Sequence, residues 1–348
     1  MGLLLSLSLK SLKGIGSQFE PFHVPERPFE VHDLPVSPIE LFQHVLPIWL
    51  VESWVDYTNR NPGPDGRMII TAVSEIYIWI AMIIYMDLNP RKSYRDYWKG
   101  PRSGGNASTH RIARYMSHRR FSLLKRRLRI DDPDTIDMDV PDPYDKVNEW
   151  ANVMMNAAVS IVSVGSIVTV DEAMQAYEGR SKQKVTIKGK PTPTGLKIWV
   201  LAVAGYILQW LWHRPGCGPV GIEGRGPRKA RNKVTSSDGS SDKAPALNPT
   251  QAVVVALIKR LPPSKCHVYI DNLFPSPGLF VALRQLGIGA TGTCRTNCGL
   301  YRRLVELKED DRKGRKMWSY GRIQSWPTPD NKVSHPHSQS VSQLVIAI

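Results

Sequence analysis

The sequence predicts an α/β protein in which a helical region precedes a mixed sheet flanked by helices. From Pro38 to about residue 162, apolar residues recur at three- and four-residue steps, which is the spacing of a buried helix face. From Ile167 the pattern changes to short β-branched runs separated by turn residues. These runs alternate with helical segments in the order strand, hairpin, helix, strand, helix, strand. A sheet with both parallel and antiparallel neighbours is therefore expected.

The composition indicates a globular protein with a polyanionic partner. The 348 residues include 46 Lys and Arg against 31 Asp and Glu, a net charge of +15, and 42% are hydrophobic. This mix excludes a disordered chain, and the length suits two domains. Four cysteines without a CxxC pair exclude a disulfide scaffold and indicate free thiols in a reducing compartment. The longest apolar run, residues 76–86, is shorter than the ~18 residues of a membrane span.

The first region is predicted to be a helical domain over residues 38–162. Residues 1–37 contain prolines but no apolar periodicity, so they are expected to form a disordered lead-in. The predicted helices cover residues 38–54, 71–88, 108–117, 120–130 and 145–162. Five of the eleven residues of the fourth are arginine or lysine, which favours either a solvated face or a nucleic-acid contact.

The second region, residues 163–325, is predicted to form the mixed sheet. A strand over 167–170 stops at Asp171, and a second apolar strand over 267–270 stops at Asp271. The other predicted elements are an antiparallel hairpin (196–204 and 206–213), helices over 250–261 and 280–286, and a strand over 289–293. Residues 214–249 are expected to be a flexible basic insertion, and residues 326–348 an irregular tail.

Asp171 and Asp271 are the candidate catalytic and metal-ligating residues. Each directly follows an apolar strand, where a side chain is held rigidly but still reaches solvent. Two carboxylates brought together in this way suit Mg²⁺ or Mn²⁺, which can activate a nucleophile and stabilise the leaving oxygen at a phosphodiester. The alternative from spacing alone is that both are ordinary residues that make turns at strand ends.

Several short motifs in order resemble the transposase domain of the piggyBac family over roughly residues 38–330. They are Val170-Asp171-Glu172-Ala173-Met174, Gly179-Arg180, Lys190-Pro191, Gly195-Leu196-Lys197 and Tyr269-Ile270-Asp271-Asn272-Leu273-Phe274. Upstream, Tyr97-Trp98, Met116-Ser117 and Arg120-Phe121 are similar to the helical region of that family. Each motif is short, and the specificity comes from the ordered set.

The resemblance implies a ribonuclease-H-like core preceded by a helical domain for dimerisation and DNA binding. It also implies a nuclear homodimer that cleaves and joins double-stranded DNA through three aspartates and two divalent metal ions. On this basis Asp171 matches the first aspartate and Asp271 the second. The family's third aspartate lies in a Gly-Gly-Val-Asp-type segment that has no counterpart here, and its C-terminal Cys/His zinc module has none either.

We therefore expect an incomplete core, truncated at its C-terminus, and a DNA-binding protein whose two-metal site lacks one ligand. Two alternatives remain open. The first is an active nuclease or transposase whose third ligand comes from Asp310, Asp311, Asp330 or a partner chain. The second is a non-enzymatic interaction protein or the product of a decayed element. The predicted DNA contacts are Arg119, Arg120, Arg126, Arg127, Arg129, Arg180, Lys182, Lys184, Lys188, Lys190 and Lys197.

Overall fold

The computed structural model describes residues 19–99, 110–135, 144–214 and 247–315, together with the backbone of 323–327, 331, 333–338 and 344–347. The chain divides into two compact units. One is Asp33–Ala157, and the other combines the residues up to His32 with those from Ala158 onward.

The first unit is helical, as predicted. Its helices are α1 (Pro38–Val45), α2 (Ile48–Arg60), α3 (Val73–Leu88), α4 (His118–Arg127) and α5 (Asp145–Ser160), the last of which runs on into the second unit. Single 3₁₀ turns cover Tyr94–Trp98, Arg111–Arg114 and Pro133–Thr135. The first predicted helix is two helices, because Pro47 has no N–H to donate and its extended backbone caps α2.

The core of this unit forms where α2, α3 and α4 pack together. Leu50 and Ile76 are fully buried, and Leu124 is buried with them. Helix α4 is capped by Ser117, whose side-chain oxygen accepts a hydrogen bond from the Arg120 N–H at 3.2 Å. Since α4 buries only Phe121 and Leu124 fully, most of its basic side chains remain on its outer surface.

The second unit is built on a mixed sheet. Its strands are β3 (Ile167–Ala176), β4 (Lys184–Thr186), β5 (Thr194–Val203), β6 (Tyr206–Trp212), β7 (His267–Ile270), β8 (Gly289–Cys294), β9 (Ile323–Pro327), β10 (Ser334–Ser338) and β11 (Leu344–Ala347). A small separate ribbon pairs β1 (Glu30–Val31) with β2 (Val162–Ser163). Its helices are α6 (Pro249–Ile258), α7 (Pro277–Gln285) and α8 (Arg302–Arg312).

The strand order confirms the ribonuclease-H-like fold that the resemblance implies. The sheet runs β4-β5-β3-β7-β8-β11-β10-β9, and β6 pairs with β5 beyond the end of β4. The strands β6, β5 and β3 are antiparallel, whereas β3, β7 and β8 are parallel and connected through α6 and α7. The hairpin between β5 and β6 turns at Ala204 and Gly205, which both have positive φ, as a two-residue primed turn requires.

One face of the sheet is covered by α6 and α7. Val168, Val170 and Val268 point to this face and are buried with Leu257 and Leu283 from the two helices. A Cβ added to Gly292 in β8 would lie 2.7 Å from Ile270 Cγ1 and 2.8 Å from Pro275 Cγ, so glycine permits this close packing.

The opposite face, here called the open face, carries the alternate residues of the same strands. Ile167 is 54% exposed and Tyr269 is 44% exposed on it. Strand alternation therefore separates an apolar face beneath the helices from a face that reaches solvent.

Three differences from the sequence predictions concern the sheet. Strand β3 continues to Ala176 where residue 170 was predicted as its last, because β5 pairs with it along its whole later half. The edge strand β4 lies in a basic stretch that gives no apolar signal. Strands β10 and β11 occur within residues 326–348, for which an irregular tail is predicted, and β1 lies within the predicted lead-in.

Some sequence predictions lie outside the described residues. These include the first 18 residues, Cys217, most of the basic insertion and Asp330. Cys266, Cys294 and Cys298 are thiols that form no disulfide. Among the described helices, none combines the length and the apolar character that crossing a membrane requires.

Candidate functional site

Asp171 and Asp271 lie side by side where the parallel pairing of β3 and β7 ends. The last parallel pair is Val170 with Ile270, so the next residue of each strand is an aspartate. The prediction that Asp171 ends its strand is wrong, because Asp171 still pairs with Val200 of β5 on the other side. Asp171 lies beside Asp271 because β3 also pairs in parallel with β7. The register of that pairing puts the two aspartates at the same position along the two strands.

Both aspartates belong to the open face of the sheet. Val168 and Val170 are buried, so alternation turns Asp171 to the other face, and the same holds for Asp271 after Ile270. Both carboxylates are exposed. Paired residues of parallel strands share a face, and the structure thus brings the two predicted site residues together.

Local hydrogen bonds orient one oxygen of each carboxylate. Asp171 Oδ1 accepts the backbone N–H of Glu172 at 2.7 Å, and Asp271 Oδ1 accepts the Thr293 hydroxyl at 3.3 Å. Thr293 was not predicted as part of the site. The signal that could have found it is the register of β7 and β8, which pairs Ile270 with Gly292 and so places Thr293 next to Asp271.

The pair supplies hard oxygen ligands of the kind that a divalent cation prefers. Within the described part of the chain, no three His, Cys, Asp or Glu side chains are close enough together to hold a metal ion. Of the alternative third ligands, Asp310 forms an ion pair with Arg315 at 2.8 Å, and Asp330 lies outside the described residues, so a third ligand from it stays a prediction. The described residues therefore fit a metal ion through two carboxylates.

Two predicted DNA-contacting lysines lie near Glu172, which follows Asp171 in β3 but alternates onto the helix-covered face with Trp199. Lys190 Nζ is 3.3 Å from Glu172 Oε1, and Lys197 Nζ lies 4.0 Å from the centre of the Trp199 ring. Burial lowers the pKa of Lys197, while the negative charges of Glu172 and Asp171 act in the opposite direction. The charge of Lys197 is thus within electrostatic reach of Asp171.

The other predicted DNA contacts of this unit lie on the edge of the sheet. Arg180 and Lys182 precede β4, Lys184 begins it, and Lys188 follows it in a turn, and all four are exposed. A row of exposed cations on an edge strand can contact phosphates and also prevents that edge from pairing with another strand.

The predicted arginines of α4 fall into two groups. Arg119 and Arg126 are exposed. Arg120 donates from Nε and Nη2 to both oxygens of Glu75 at 2.6 Å, and it also donates to the Ile70 carbonyl. Arg127 donates to Asp65 at 3.0 Å and to a backbone carbonyl, and its side chain is nearly buried. Arg120 and Arg127 hold the helical unit together.

Arg129, the last predicted DNA contact of this region, follows α4. It is half-buried, and its backbone N–H donates to Thr58 Oγ1 at 2.9 Å. This hydrogen bond fixes the backbone of Arg129. It does not involve the guanidinium, so a contact of Arg129 with DNA stays a prediction.

Comparisons with known proteins agree with this fold. A family model described as transposase IS4 matches residues 37–302. Human piggyBac transposable element-derived protein 3 is 25% identical over 260 residues, which are 74% of this chain and 40% of that protein. Human piggyBac transposable element-derived protein 2 is 24% identical over 263 residues, 75% of this chain and 40% of that protein. The chain thus matches less than half the length of these relatives.

A solved structure has the same fold. The piggyBac transposase in a synaptic complex with hairpin DNA, determined by cryo-electron microscopy, superposes with a TM-score of 0.60 at 19% identity. The match covers 90% of this chain and 61% of that chain. Since the family model covers well over half of the sequence, the chain belongs to the transposase IS4 family, in the piggyBac-type group to which these relatives belong.

Proposed function

We propose that this protein binds double-stranded DNA and that Asp171 and Asp271 ligate a divalent metal ion in a site to which the described part of the chain supplies no third carboxylate. The observation that carries the proposal is the register of β3 and β7, which sets both aspartates side by side on the open face. Transposases of the DDE type use divalent metal ions, and the two carboxylates fit that use.

Mg²⁺ or Mn²⁺ is the metal that these oxygen ligands favour. When bound, such an ion polarises a phosphodiester and lowers the pKa of a coordinated water or hydroxyl group. The chain's own contribution is to hold the two carboxylates: the Glu172 N–H and the Thr293 hydroxyl each fix one oxygen. A site with two protein ligands is expected to bind metal weakly and to support little or no strand cleavage.

The DNA-binding part of the proposal is supported by the exposed basic side chains. Lys182, Lys184 and Lys188 are exposed on the sheet edge, and the half-buried Lys190 and Lys197 lie near Glu172, next to Asp171 in β3. Lysine is a compact charge that neutralises phosphates without reading base sequence. We assign these residues to backbone contacts that are independent of sequence.

A metal titration with a parallel nicking assay tests the proposal. The full chain, Asp171→Ala and Asp271→Ala would be compared for Mn²⁺ binding and for cleavage of a labelled duplex. Glu178→Gln, an exposed acid in the loop after β3, is the matched control. We expect Mn²⁺ binding that both aspartate substitutions abolish and the control retains, with no cleavage above background.

The other outcomes separate the alternatives. Cleavage that disappears in both aspartate variants would mean that the active-enzyme alternative is correct. Mn²⁺ binding that neither substitution weakens would exclude the pair as a metal site. Duplex affinity that does not change between low and physiological salt would exclude the lysine contacts.

Two further parts of the proposal concern assembly and location. We assign dimerisation and additional DNA contacts to the helical unit, and a nuclear location to the whole protein. Light scattering of the purified chain reports the first, with a mass near 78 kDa expected for a dimer of the 39.1 kDa chain. Microscopy of the tagged full chain reports the second.

A further inference from the structure

The helical unit contains an acidic pocket that the proposed function does not use. The cavity has a volume of about 340 Å³, and its walls carry the carboxylates of Asp131, Asp132, Asp145 and Glu149 and the ring of Tyr57. All of these residues belong to the unit Asp33–Ala157. We refer to this cavity as the acidic pocket.

The pocket lies in the most acidic stretch of an otherwise basic chain. Eight of the 31 acidic residues fall between positions 131 and 149, where Lys146 is the single basic residue. Such a local reversal of charge in a protein of net charge +15 attracts cations to one place.

Arg60 neutralises only part of this charge. Its guanidinium donates to Asp132 at 2.6 Å and to Asp134 at 3.0 Å. Asp131 has no such partner. It is 6% exposed, its Oδ2 atom is buried, and that atom forms no hydrogen bond. A carboxylate oxygen buried in this way is costly unless a cation or a hydrogen-bond donor satisfies it.

The directions of the pKa shifts of Asp131 and Glu149 agree with buried carboxylates whose charge is not fully neutralised. Burial raises the pKa of Asp131, opposed by the charges of Arg129 and Lys146 and assisted by that of Asp132. Burial also raises the pKa of Glu149, opposed by a hydrogen bond from the Tyr57 hydroxyl at 3.4 Å and assisted by the charges of Asp132 and Asp131. A cation that entered the pocket would reverse both effects, because it stabilises the ionised carboxylates.

The geometry favours an organic cation over a metal ion. In the part of the chain that the structure describes, no three acidic, His or Cys side chains meet at metal-ligand distance, and the pocket is no exception. Residues 136–143, which connect Thr135 to the start of α5, contain three aspartates and no Lys or Arg, so they cannot supply the cation. A guanidinium group has five N–H donors in one plane and can reach carboxylates that are too far apart to share an ion.

We propose that the acidic pocket binds the guanidinium of an arginine side chain from a basic segment of a partner protein, with Asp131 and Glu149 as its main acceptors. Asp131 lines the pocket with a buried carboxylate whose Oδ2 has no hydrogen-bond partner, and the positive charge of such a ligand offsets that unmet charge. The inference concerns the helical unit and does not depend on the metal site.

Peptide titration of the full chain tests this proposal. The probe is acetyl-Gly-Gly-Arg-Gly-Gly-amide. Two comparison peptides replace the arginine: citrulline keeps the shape without the charge, and lysine keeps the charge without the guanidinium. Amide chemical shifts of residues 131–149 would be followed by NMR at low ionic strength. We expect the arginine peptide to shift these amides saturably, the lysine peptide to bind more weakly, and the citrulline peptide to cause no saturable shift.

Three variants link the binding to the pocket. Since charge-assisted hydrogen bonds are lost, Asp131→Asn and Glu149→Gln are each expected to weaken peptide binding about tenfold. Asp134→Asn is the matched control, because Asp134 lies in the same turn but is 74% exposed and bonded to Arg60. Asp131→Asn should keep or raise the melting temperature, since it removes a buried unpaired charge. If Asp131 had a purely structural role, Asp131→Asn would lower the melting temperature.

Several results would overturn the proposal. One is equal binding of the citrulline or the lysine peptide, which would mean that the guanidinium is not recognised. Another is unchanged arginine-peptide affinity in a folded Asp131→Asn protein. A third is saturable shifts of the same amides by Mg²⁺ or Ca²⁺ alone, since the pocket would then be a metal site.

Discussion

Thr293 is the residue that orients the Asp271 carboxylate in the proposed metal site. Its hydroxyl lies 3.3 Å from Asp271 Oδ1. Partners that hydrogen-bond to a metal ligand fix its orientation and strengthen binding. Thr293→Val removes the hydroxyl but keeps the β-branched shape that a strand prefers.

We expect Thr293→Val to weaken Mn²⁺ binding about tenfold, as measured by calorimetric titration. Thr291→Val is a control from the same strand and face, where the hydroxyl lies 2.9 Å from His267 Nε2 and away from the aspartates. If both variants lost affinity equally, the effect would belong to the strand and not to the contact with Asp271.

Arg120 illustrates how the structure reassigns a residue that the sequence places among the DNA contacts. The hydrogen bonds of Arg120 hold the pKa of Glu75 below its ordinary value of 4.5, against the opposing effect of burial. Because both side chains are mostly buried, we expect Arg120→Gln to lower the free energy of unfolding by about 1–3 kcal/mol. Arg119→Gln, the exposed neighbour, should change it by less than about 0.5 kcal/mol.

The pH dependence of this difference has a defined sign. A carboxyl whose pKa is lower in the folded state stabilises the fold above its unfolded pKa and loses that effect as the pH falls through the folded pKa. Urea unfolding should therefore show the full difference between the wild type and Arg120→Gln above about pH 5 and a smaller one at lower pH. A difference that grew on acidification would contradict the ion pair.

Among the elements, helix α7 depends on its cap. The Ser276 side chain is buried and accepts the Leu279 N–H at 3.2 Å, which satisfies one of the free donors at the helix start. Ser276→Ala should lower the free energy of unfolding by about 1 kcal/mol, while the exposed Ser264→Ala should have little effect. Thermal unfolding of the two variants measures the difference. Equal melting temperatures would mean that the capping bond contributes nothing.

Periodicity predicts the elements that have a strong apolar signal of their own. The hairpin at Ala204-Gly205, strand β7 and helix α3 follow from apolar runs and turn residues alone. Strand β4 and the later half of β3 are missed, because polar and charged residues interrupt any apolar run there and hydrogen bonds to β5 hold them in place. Their strand conformation is a tertiary effect that no local pattern contains.

The candidate site shows the same division between local and tertiary information. Apolar runs followed by an acidic residue mark Asp171 and Asp271 as candidates, and the ordered family motifs select them, although Asp171 lies within β3 and not at its end. Their adjacency, the contact from Thr293 and the pairing of Arg120 with Glu75 depend on register and packing between segments that are far apart in sequence. The acidic pocket likewise joins Tyr57 of α2 to residues 131–149 and could not be predicted from either segment.

For the whole molecule, the net charge of +15 predicts binding that depends strongly on salt. Each lysine that contacts a phosphate releases counterions, so the slope of log affinity against log salt is about −0.9 per contact. The exposed Lys182 and Lys188 near β4 are assigned to such contacts, whereas Lys259 and Lys265 are equally exposed but follow α6 and precede β7, away from the aspartate ends of the strands. Replacing either pair of lysines changes the net charge of the chain equally, so the two double variants can be compared at the same net charge.

We expect the double variant Lys182→Gln and Lys188→Gln to reduce the magnitude of the slope by about 2. The double variant Lys259→Gln and Lys265→Gln carries the same net charge and should keep the wild-type slope, because it removes no phosphate contact. Fluorescence anisotropy with a labelled duplex between 50 and 200 mM salt, about the range over which such binding changes most, measures both. Equal slopes for the two double variants would show that overall charge attracts DNA to the protein without a defined site at the β4 edge.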